Sequence, residues 1–433
     1  MATVVARIEP ALVALRLPPG PAFVGRLEEA WERGDAVLPL DHRLPGPGLR
    51  RLLSALRPAA IVEPDGETRL PDAVPVSAGT ALVVATSGSS GRPKGVRLSH
   101  AALRASARAG ARRLATRPGD RWLCCLPLGH VAGMQVLVRS ALLGTPAVVH
   151  PRFDPDAVAG QRGVSLVSLV PSMLLRLLDA GADLRRFRRI LLGGAPAPRS
   201  LLQRAAASGA TVVTSYGLTE TCGGCVYDGR PLDGVRVAVA DDGRVHVAGP
   251  VLMSGYRAGA GGVGRGWTGS GGEDGGPAIR DGWLRTADVG RWLPDGRLQV
   301  LGRVDDVIVT GGENVVAGEV EELLADHPAV AQVVVLGRPD PRWGQRVVAF
   351  CVPAADPPPT LDQLRRHAAR RAAAHMAPRE LVVIDRLPTV GPGKVDRSAL
   401  RALPHTPAHT ARPGPSPAHA AGPGPDAAAG DGV

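Results

Sequence analysis

The stretch A81-L-V-V-A-T-S-G-S-S-G-R-P-K-G95 changes character halfway along. Ala81 to Thr86 is a continuous apolar run of strand length, rich in β-branched residues, and predicts a buried strand. Thr86, Ser87, Gly88, Ser89, Ser90, Gly91, Arg92, Pro93, Lys94 and Gly95 then gather four hydroxyls, three glycines and a lysine. Glycine leaves backbone N–H groups free to close around a polyanion, the hydroxyls add donors, and Lys94 adds a charge. Ser99 can N-cap a helix from Ala101 to about Ala115. The expectation is therefore a phosphate-binding loop lying directly between a strand and a helix. A Walker A loop is excluded: Pro93 precedes Lys94 and Gly95 follows it, where that motif needs Gly-Lys-Ser/Thr.

Working outward, apolar runs such as L166-V-S-L-V170 and T211-V-V-T214 alternate with helical segments such as S200-L-L-Q-R-A-A-A207. That alternation predicts an α/β fold with largely parallel strands. Two hairpins are expected next, V235 to V247 turning at D-D-G and R291 to V300 turning at P-D-G. Between them, residues 258–277 are dense in glycine and read as a surface insertion that buries no core. After Arg303 the pattern becomes compact: V307-I-V309, helix 318–325, V333-V-V-L336, R346-V-V-A-F350, helix 361–374, L381-V-V-I384. A β-α-β-β-α-β order of this kind predicts a small α+β domain. The expected division is 1–303, 304–402, and a disordered Pro/Ala/Gly/His-rich tail at 403–433.

The chain has 433 residues with a formal net charge of +11, 44% hydrophobic and 3% aromatic. Lys plus Arg total 51, yet only Lys94 and Lys394 are lysine. Coding bias toward GC-rich codons accounts for the arginines, and clusters such as R185-R-F-R-R189 and R365-R366 read as solvated helix faces. Basic patches interleaved with aromatics, which would stack on bases, are absent, so no nucleic-acid partner is expected. The first twenty residues carry no signal-peptide pattern, and no 18-residue apolar run predicts a membrane span. Five cysteines in a chain this long do not suggest a disulfide scaffold, and a cytoplasmic enzyme is expected.

Further motifs carry chemistry. S215-Y-G-L-T-E-T221 places an aromatic ring, hydroxyls and a carboxylate at a strand end, a set able to stack a base, touch phosphate and hold Mg²⁺. L284-R-T-A-D-V-G290 offers Asp288 to ribose hydroxyls. G302-R-V-D-D-V-I-V-T-G-G-E-N314 and P388-T-V-G-P-G-K-V-D-R397 complete the series. C222-G-G-C225 has zinc-like spacing but lacks a second pair, and reads as two small residues lining a pocket. G259-A-G-G-V-G264 fits a dinucleotide pattern only formally, since no strand precedes it.

In this order, the five blocks closely resemble the adenylate-forming superfamily, over roughly residues 80 to 400. The resemblance implies a large N-terminal domain of layered α/β sheets, a small mobile α+β C-terminal domain, and an active site between them. It implies ATP and CoA as co-substrates, with Mg²⁺. By motif, Thr86 to Gly95 would hold the ATP phosphates. Gly193, Gly194, Ala195, Tyr216 and Gly217 would form the adenine pocket, and Thr219 would touch phosphate. Glu220 would bind Mg²⁺, and Asp288 and Arg303 would contact ribose. Asp305 would be the hinge and Lys394 the catalytic lysine.

Within the superfamily, L126-P-L-G-H-V-A-G-M-Q-V-L-V-R-S140 and Y216 to V235 resemble the o-succinylbenzoate–CoA ligase family of menaquinone biosynthesis. His130 matches a position between acyl pocket and CoA channel, and Ser215 would face the acid. The substrate is then an aromatic dicarboxylate whose second carboxylate needs a cation. Arg139, odd in an apolar run, is the candidate; the alternative is that it caps a surface helix. Other acyl- or aryl-CoA synthetases, stand-alone adenylation enzymes and a non-catalytic nucleotide-binding relative are the competing readings, and a homo-oligomer is an allowed assembly.

Overall fold

The computed structural model describes residues 9–87, 93–257, 279–390 and 394–404, with the side chains of Ser87, Val390 and Lys394 outside the description. Gly88 to Gly91 of the loop, the 258–277 insertion and the tail from His405 therefore lie outside the described residues.

Two seven-stranded sheets form the large part of the molecule. In the first, Leu12–Leu15, Ala36–Pro39 and Ala60–Glu63 run parallel, and Ala36–Pro39 pairs on its other side with Thr80–Ser87, also parallel. These strands are wholly or almost wholly buried. They have the unalternating apolar composition expected of strands covered on both faces. In the second sheet, Ala147–Val149, Trp122–Cys124, Leu166–Leu169, Arg189–Leu192 and Val212–Leu218 are parallel neighbours. The antiparallel strands Gly223–Tyr227 and Arg230–Pro231 complete that sheet.

Helices His100–Arg113 and Val131–Leu143 lie between the sheets. The main core joins Val84, Val96 and Leu98 of the first sheet to Trp122, Leu166 and Val213 of the second through Leu103, Ala107, Met134 and Val138. A second core, including Leu174, Leu177 and Leu201, covers the opposite face of the second sheet. The Ser99 side chain accepts from Ala102 N at 3.1 Å, the expected N-cap.

The phosphate loop differs from the expectation. Its return strand, Pro93–Ser99, pairs antiparallel with Thr80–Ser87, matching Thr86 to Lys94 and Ser87 to Pro93. The loop is thus the tip of a hairpin, and a full strand intervenes before the helix. Gly95 hides that strand in the sequence. It sits where a Cβ would lie 2.6 Å from Val83 Cγ1, so packing alone favours glycine there.

Both expected hairpins are present in a third, five-stranded sheet: Arg236–Val239 with Arg244–Ala248, and Trp283–Trp292 with Leu298–Arg303. Beyond it, Val307–Thr310, Glu313–Val316, Val330–Asp340, Gly344–Pro353 and Glu380–Val383 form the small part's sheet. Helices Ala317–Ala325 and Leu361–Ala369 contribute to the core on one side, and Leu400 of Arg397–Ala402 to a second core. The Glu313–Val316 strand was not expected, and helix 361–374 stops at Ala369. Buried Arg338 and half-buried Arg346 both pair with Glu380, at 2.6 and 2.7 Å, and Arg338 also donates to Leu403 O at 2.9 Å. That network ties the terminal helix down.

The arginine run at 185–189 is not a helix face. Arg185 and Arg186 lie in a 3-10 turn, Leu184–Arg186, and Arg186 donates to the Val158 and Ala159 carbonyls. Arg188 Nε donates to Asp120 Oδ1 at 3.1 Å.

Candidate active site at the strand ends

Open α/β sheets bind ligands outside the carboxyl ends of their parallel strands, and most of the expected residues gather there. Val212–Leu218 carries Ser215, Tyr216 and Gly217, and runs directly into a 3-10 turn, Thr219–Thr221. The Thr221 hydroxyl donates to Gly223 O at 2.7 Å and accepts from Leu218 N at 2.8 Å. This buried side chain fixes the turn that presents Thr219 and Glu220. The ladder with Gly223–Tyr227 shifts register between Tyr216 and Gly217, a bulge that re-aims the tyrosine. A Cβ on Gly217 would lie 2.0 Å from Gly223 O, so no larger residue fits without displacing the strand. Gly193 packs less tightly, its Cβ position 3.1 Å from Ser215 O, which sets Gly193 beside Ser215; Gly194 and Ala195 follow it in the chain.

Two carboxylates of the site are each held by a tyrosine. Tyr216 Oη donates to Asp288 Oδ2 at 2.8 Å. Asp288 is 7% exposed and lies opposite Arg303 in the third sheet, its Oδ1 3.8 Å from the guanidinium. Burial pushes the Asp288 carboxyl above the usual carboxylate range; the Tyr216 hydrogen bond and the Arg303 charge oppose that rise. Burial, then the neighbouring Asp288 charge, pushes the Tyr216 phenol up in turn, so it stays a neutral donor. Glu220 Oε1 accepts from Tyr256 Oη at 2.8 Å, and the Lys94 ammonium lies over the same ring, 5.4 Å from its centroid.

Oxygen-only donors of this kind fit Mg²⁺, which keeps several waters and uses one or two carboxylates together with substrate phosphates. Among the described residues no three His, Cys, Asp or Glu side chains converge into an all-protein metal cage. Cys222 and Cys225 are fully buried in the main core, so they do not line an open pocket as expected; burial pushes the Cys225 thiol up to about 12.

His130 is exposed and stands at the N-terminus of Val131–Leu143; Val131 of the first turn approaches Gly223. Arg139 lies on the same helix, about 13 Å further along its axis at 1.5 Å per residue. It does not cap a surface helix. It is 2% exposed, donates to Tyr227 Oη at 3.1 Å, and stacks over Trp122 at 5.2 Å. No acidic side chain pairs with it among the described residues, and its buried Nε has no partner. Gln135, one turn nearer His130, donates to Cys222 O and leaves its own buried Oε1 without a partner. Asp305 is exposed in the 3-10 turn Val304–Asp306, 3.2 Å from Arg303. Lys394 opens the return strand of a two-stranded ribbon with Thr389–Val390. Asp396 caps the next helix by accepting from Ala399 N at 2.9 Å.

The motifs did not point to Thr221, Gln135, Tyr227 or Tyr256. Only Tyr256, in M253-S-G-Y256 just ahead of the glycine-rich segment, left a local sign, a lone aromatic between glycine and arginine.

Hydroxyls, carboxylates and cations gathered at parallel strand ends, followed in the chain by a small α+β part, accord with the organisation of an adenylate-forming enzyme. Residues 63–257 match the AMP-binding enzyme family and residues 319–394 the AMP-binding enzyme C-terminal domain, and the chain belongs to that family. It is 44% identical over 372 residues to a probable 2-succinylbenzoate–CoA ligase of Mycobacterium tuberculosis, covering 82% of this chain and 93% of that protein. It is 34% identical over 349 residues to a 2-succinylbenzoate–CoA ligase of Bacillus cereus, covering 74% and 69%. Its fold is similar to that of o-succinylbenzoate CoA synthetase of Bacillus subtilis, solved with its acyl-adenylate intermediate. That match has a TM-score of 0.76 and 28% identity, and covers 92% of this chain and 90% of the other.

Proposed function

We propose that the chain is an AMP-forming acid–thiol ligase that activates o-succinylbenzoate with ATP and transfers the acyl group to CoA, a step of menaquinone biosynthesis. The observation that carries the substrate is the 44% identity to a 2-succinylbenzoate–CoA ligase over 93% of that relative's length. The strand-end site supports it with chemistry suited to a nucleotide.

In the first half-reaction a carboxylate oxygen attacks the α-phosphorus of ATP, and pyrophosphate leaves. Two anions must be brought together, so the work is positioning and charge neutralisation. Thr86 to Gly95, with Lys94, cradles the phosphates. Tyr216, with Gly193, Gly194, Ala195 and Gly217, takes the adenine, Asp288 and Arg303 take the ribose, and Thr219 takes a phosphate oxygen. Mg²⁺ held by Glu220 supplies further positive charge when bound. Lys394 brings an ammonium to the α-phosphate from the ribbon. In the second half-reaction the CoA sulfur attacks the acyl carbonyl and AMP leaves, with His130 and Ser215 beside the acyl group. The small unit, 304–402, turns about Asp305 between the two; the 3-10 turn at Val304–Asp306 supports a boundary after Arg303, with 403–433 as a tail. Arg139 receives the second carboxylate. Its burial, with no acidic partner among the described residues, supports that role, since an uncompensated charge in a core is costly. A cytoplasmic location accords with five free, buried cysteines. Among the described residues no helix is long and apolar enough to cross a membrane.

Incubation with ATP, Mg²⁺, CoA and o-succinylbenzoate is expected to yield pyrophosphate and the CoA thioester. Pyrophosphate release with benzoate or medium-chain acids but not with o-succinylbenzoate would move the protein to another acyl-CoA synthetase class.

A further inference from the structure

Tyr256 belongs to none of the motifs assigned above, yet it touches two of them. It lies on a two-residue strand, Tyr256–Arg257, at the edge of the first sheet, pairing with Val96 and Gly95 of the phosphate hairpin. The next residue clamps that strand. Arg257, 8% exposed, donates from Nε to Leu56 O at 2.6 Å, from its terminal nitrogens to Pro75 O at 3.0 Å and Arg57 O at 3.1 Å, and also to Val74 O. A guanidinium spread over four carbonyls leaves its backbone little freedom. From this base the Tyr256 hydroxyl reaches Glu220 Oε1 at 2.8 Å, while Met253 N donates to Glu220 O at 2.8 Å. The ring also faces the Lys94 ammonium.

We infer that Tyr256 is a positioning residue for the metal site: its hydroxyl occupies one oxygen of Glu220 and turns the other toward the cation, and its ring steadies Lys94. The inference rests on the reading of Glu220 as the Mg²⁺ ligand. A glutamate side chain has three rotatable bonds, and fixing one oxygen removes most of that freedom before the metal arrives. The two functions separate chemically. Tyr256→Phe deletes the hydroxyl but keeps the ring, and Tyr256→Leu deletes both.

The test compares the parent chain, Tyr256→Phe, Tyr256→Leu and Glu220→Gln. Mn²⁺ affinity is read by electron paramagnetic resonance with a non-hydrolysable ATP analogue, and Mg²⁺ dependence by pyrophosphate release. Tyr256→Phe is expected to weaken Mn²⁺ binding about 10-fold, the scale of one hydrogen bond to a charged group. Its KM for the acid should stay unchanged, and raised Mg²⁺ should restore kcat. Tyr256→Leu should in addition weaken binding of the ATP analogue at saturating metal, through Lys94. Parent-like Mn²⁺ binding by Tyr256→Phe, with loss in Glu220→Gln, would overturn the positioning role and keep Glu220 as ligand. Parent-like binding by Glu220→Gln would overturn both. A fall in kcat of Tyr256→Phe that metal does not restore would make the tyrosine merely structural.

Discussion

In the region proposed for the nucleotide, Asp288 and Glu220 each accept a hydrogen bond from a tyrosine on another strand. At the end assigned to the acid, Arg139, Tyr227 and Gln135 are buried beside the main core, and among the described residues Arg139 Nε and Gln135 Oε1 have no partner. The first arrangement has its polar groups held before substrate arrives, so a single substitution there should shift one binding term. The second stores unsatisfied polarity inside the core, so substitutions should change selectivity and stability together.

The sharpest division concerns Lys394, which comes from the small unit. Lys394→Ala is expected to lower the adenylation rate by about 10²–10³, the usual cost of losing one charge-stabilising group. Thioester formation from supplied acyl-adenylate should continue. Equal loss in both half-reactions, measured separately by pyrophosphate and thioester release, would mean that the unit does not exchange roles by turning. Arg139→Leu comes next. The kcat/KM for o-succinylbenzoate should fall about 30-fold or more relative to a monocarboxylate analogue, the range for removing one partner of a buried charge. An unchanged ratio would return Arg139 to the core as a structural cation.

Asp288→Asn tests the nucleotide end. The KM for ATP should rise about 10-fold with little change in the KM for the acid, as one charge-assisted hydrogen bond is lost. A pH effect accompanies it. Burial raises the Asp288 carboxyl in the folded chain, so this residue's relative stabilisation is complete below the unfolded-state value and is lost as pH rises through the folded value. The Tm of Asp288→Asn, relative to the parent, should therefore increase between pH 4 and pH 7. The smallest effect belongs to the contact between the third sheet and the small unit. Arg291 pairs with Glu319 at 2.9 Å in an exposed setting, and Arg291→Ala should alter stability by no more than about 0.5 kcal/mol in chemical denaturation.

The same contrast explains what the sequence revealed. Strand-end motifs are local: Tyr216, Gly217, Thr219 and Glu220 are consecutive or nearly so, and their residue types announce the chemistry before any packing is known. Parallel strands, both hairpins and the Ser99 cap were likewise legible, because period and turn residues act over a few positions. The return strand Pro93–Ser99 was not, because glycine, proline and lysine open it and its partner lies across a loop. Tyr256 and Tyr227 were missed for a related reason. Each matters through a residue tens of positions away, Tyr256 through Glu220 and Tyr227 through Arg139, and neither sits in a pattern that distance preserves. Cys222 and Cys225 were misplaced because spacing alone does not distinguish a pocket wall from the core behind it.

The two lysines have one more consequence. An acyl-adenylate is an acylating agent, and primary amines are its natural victims once it leaves the cleft. On this chain the ε-amines are limited to Lys94, above the Tyr256 ring, and Lys394, at the edge of the ribbon. Self-modification by escaped product would thereby fall on the two residues proposed to serve its synthesis. A mass increment on either would record each escape, with no background from elsewhere on the surface beyond the N-terminal amine.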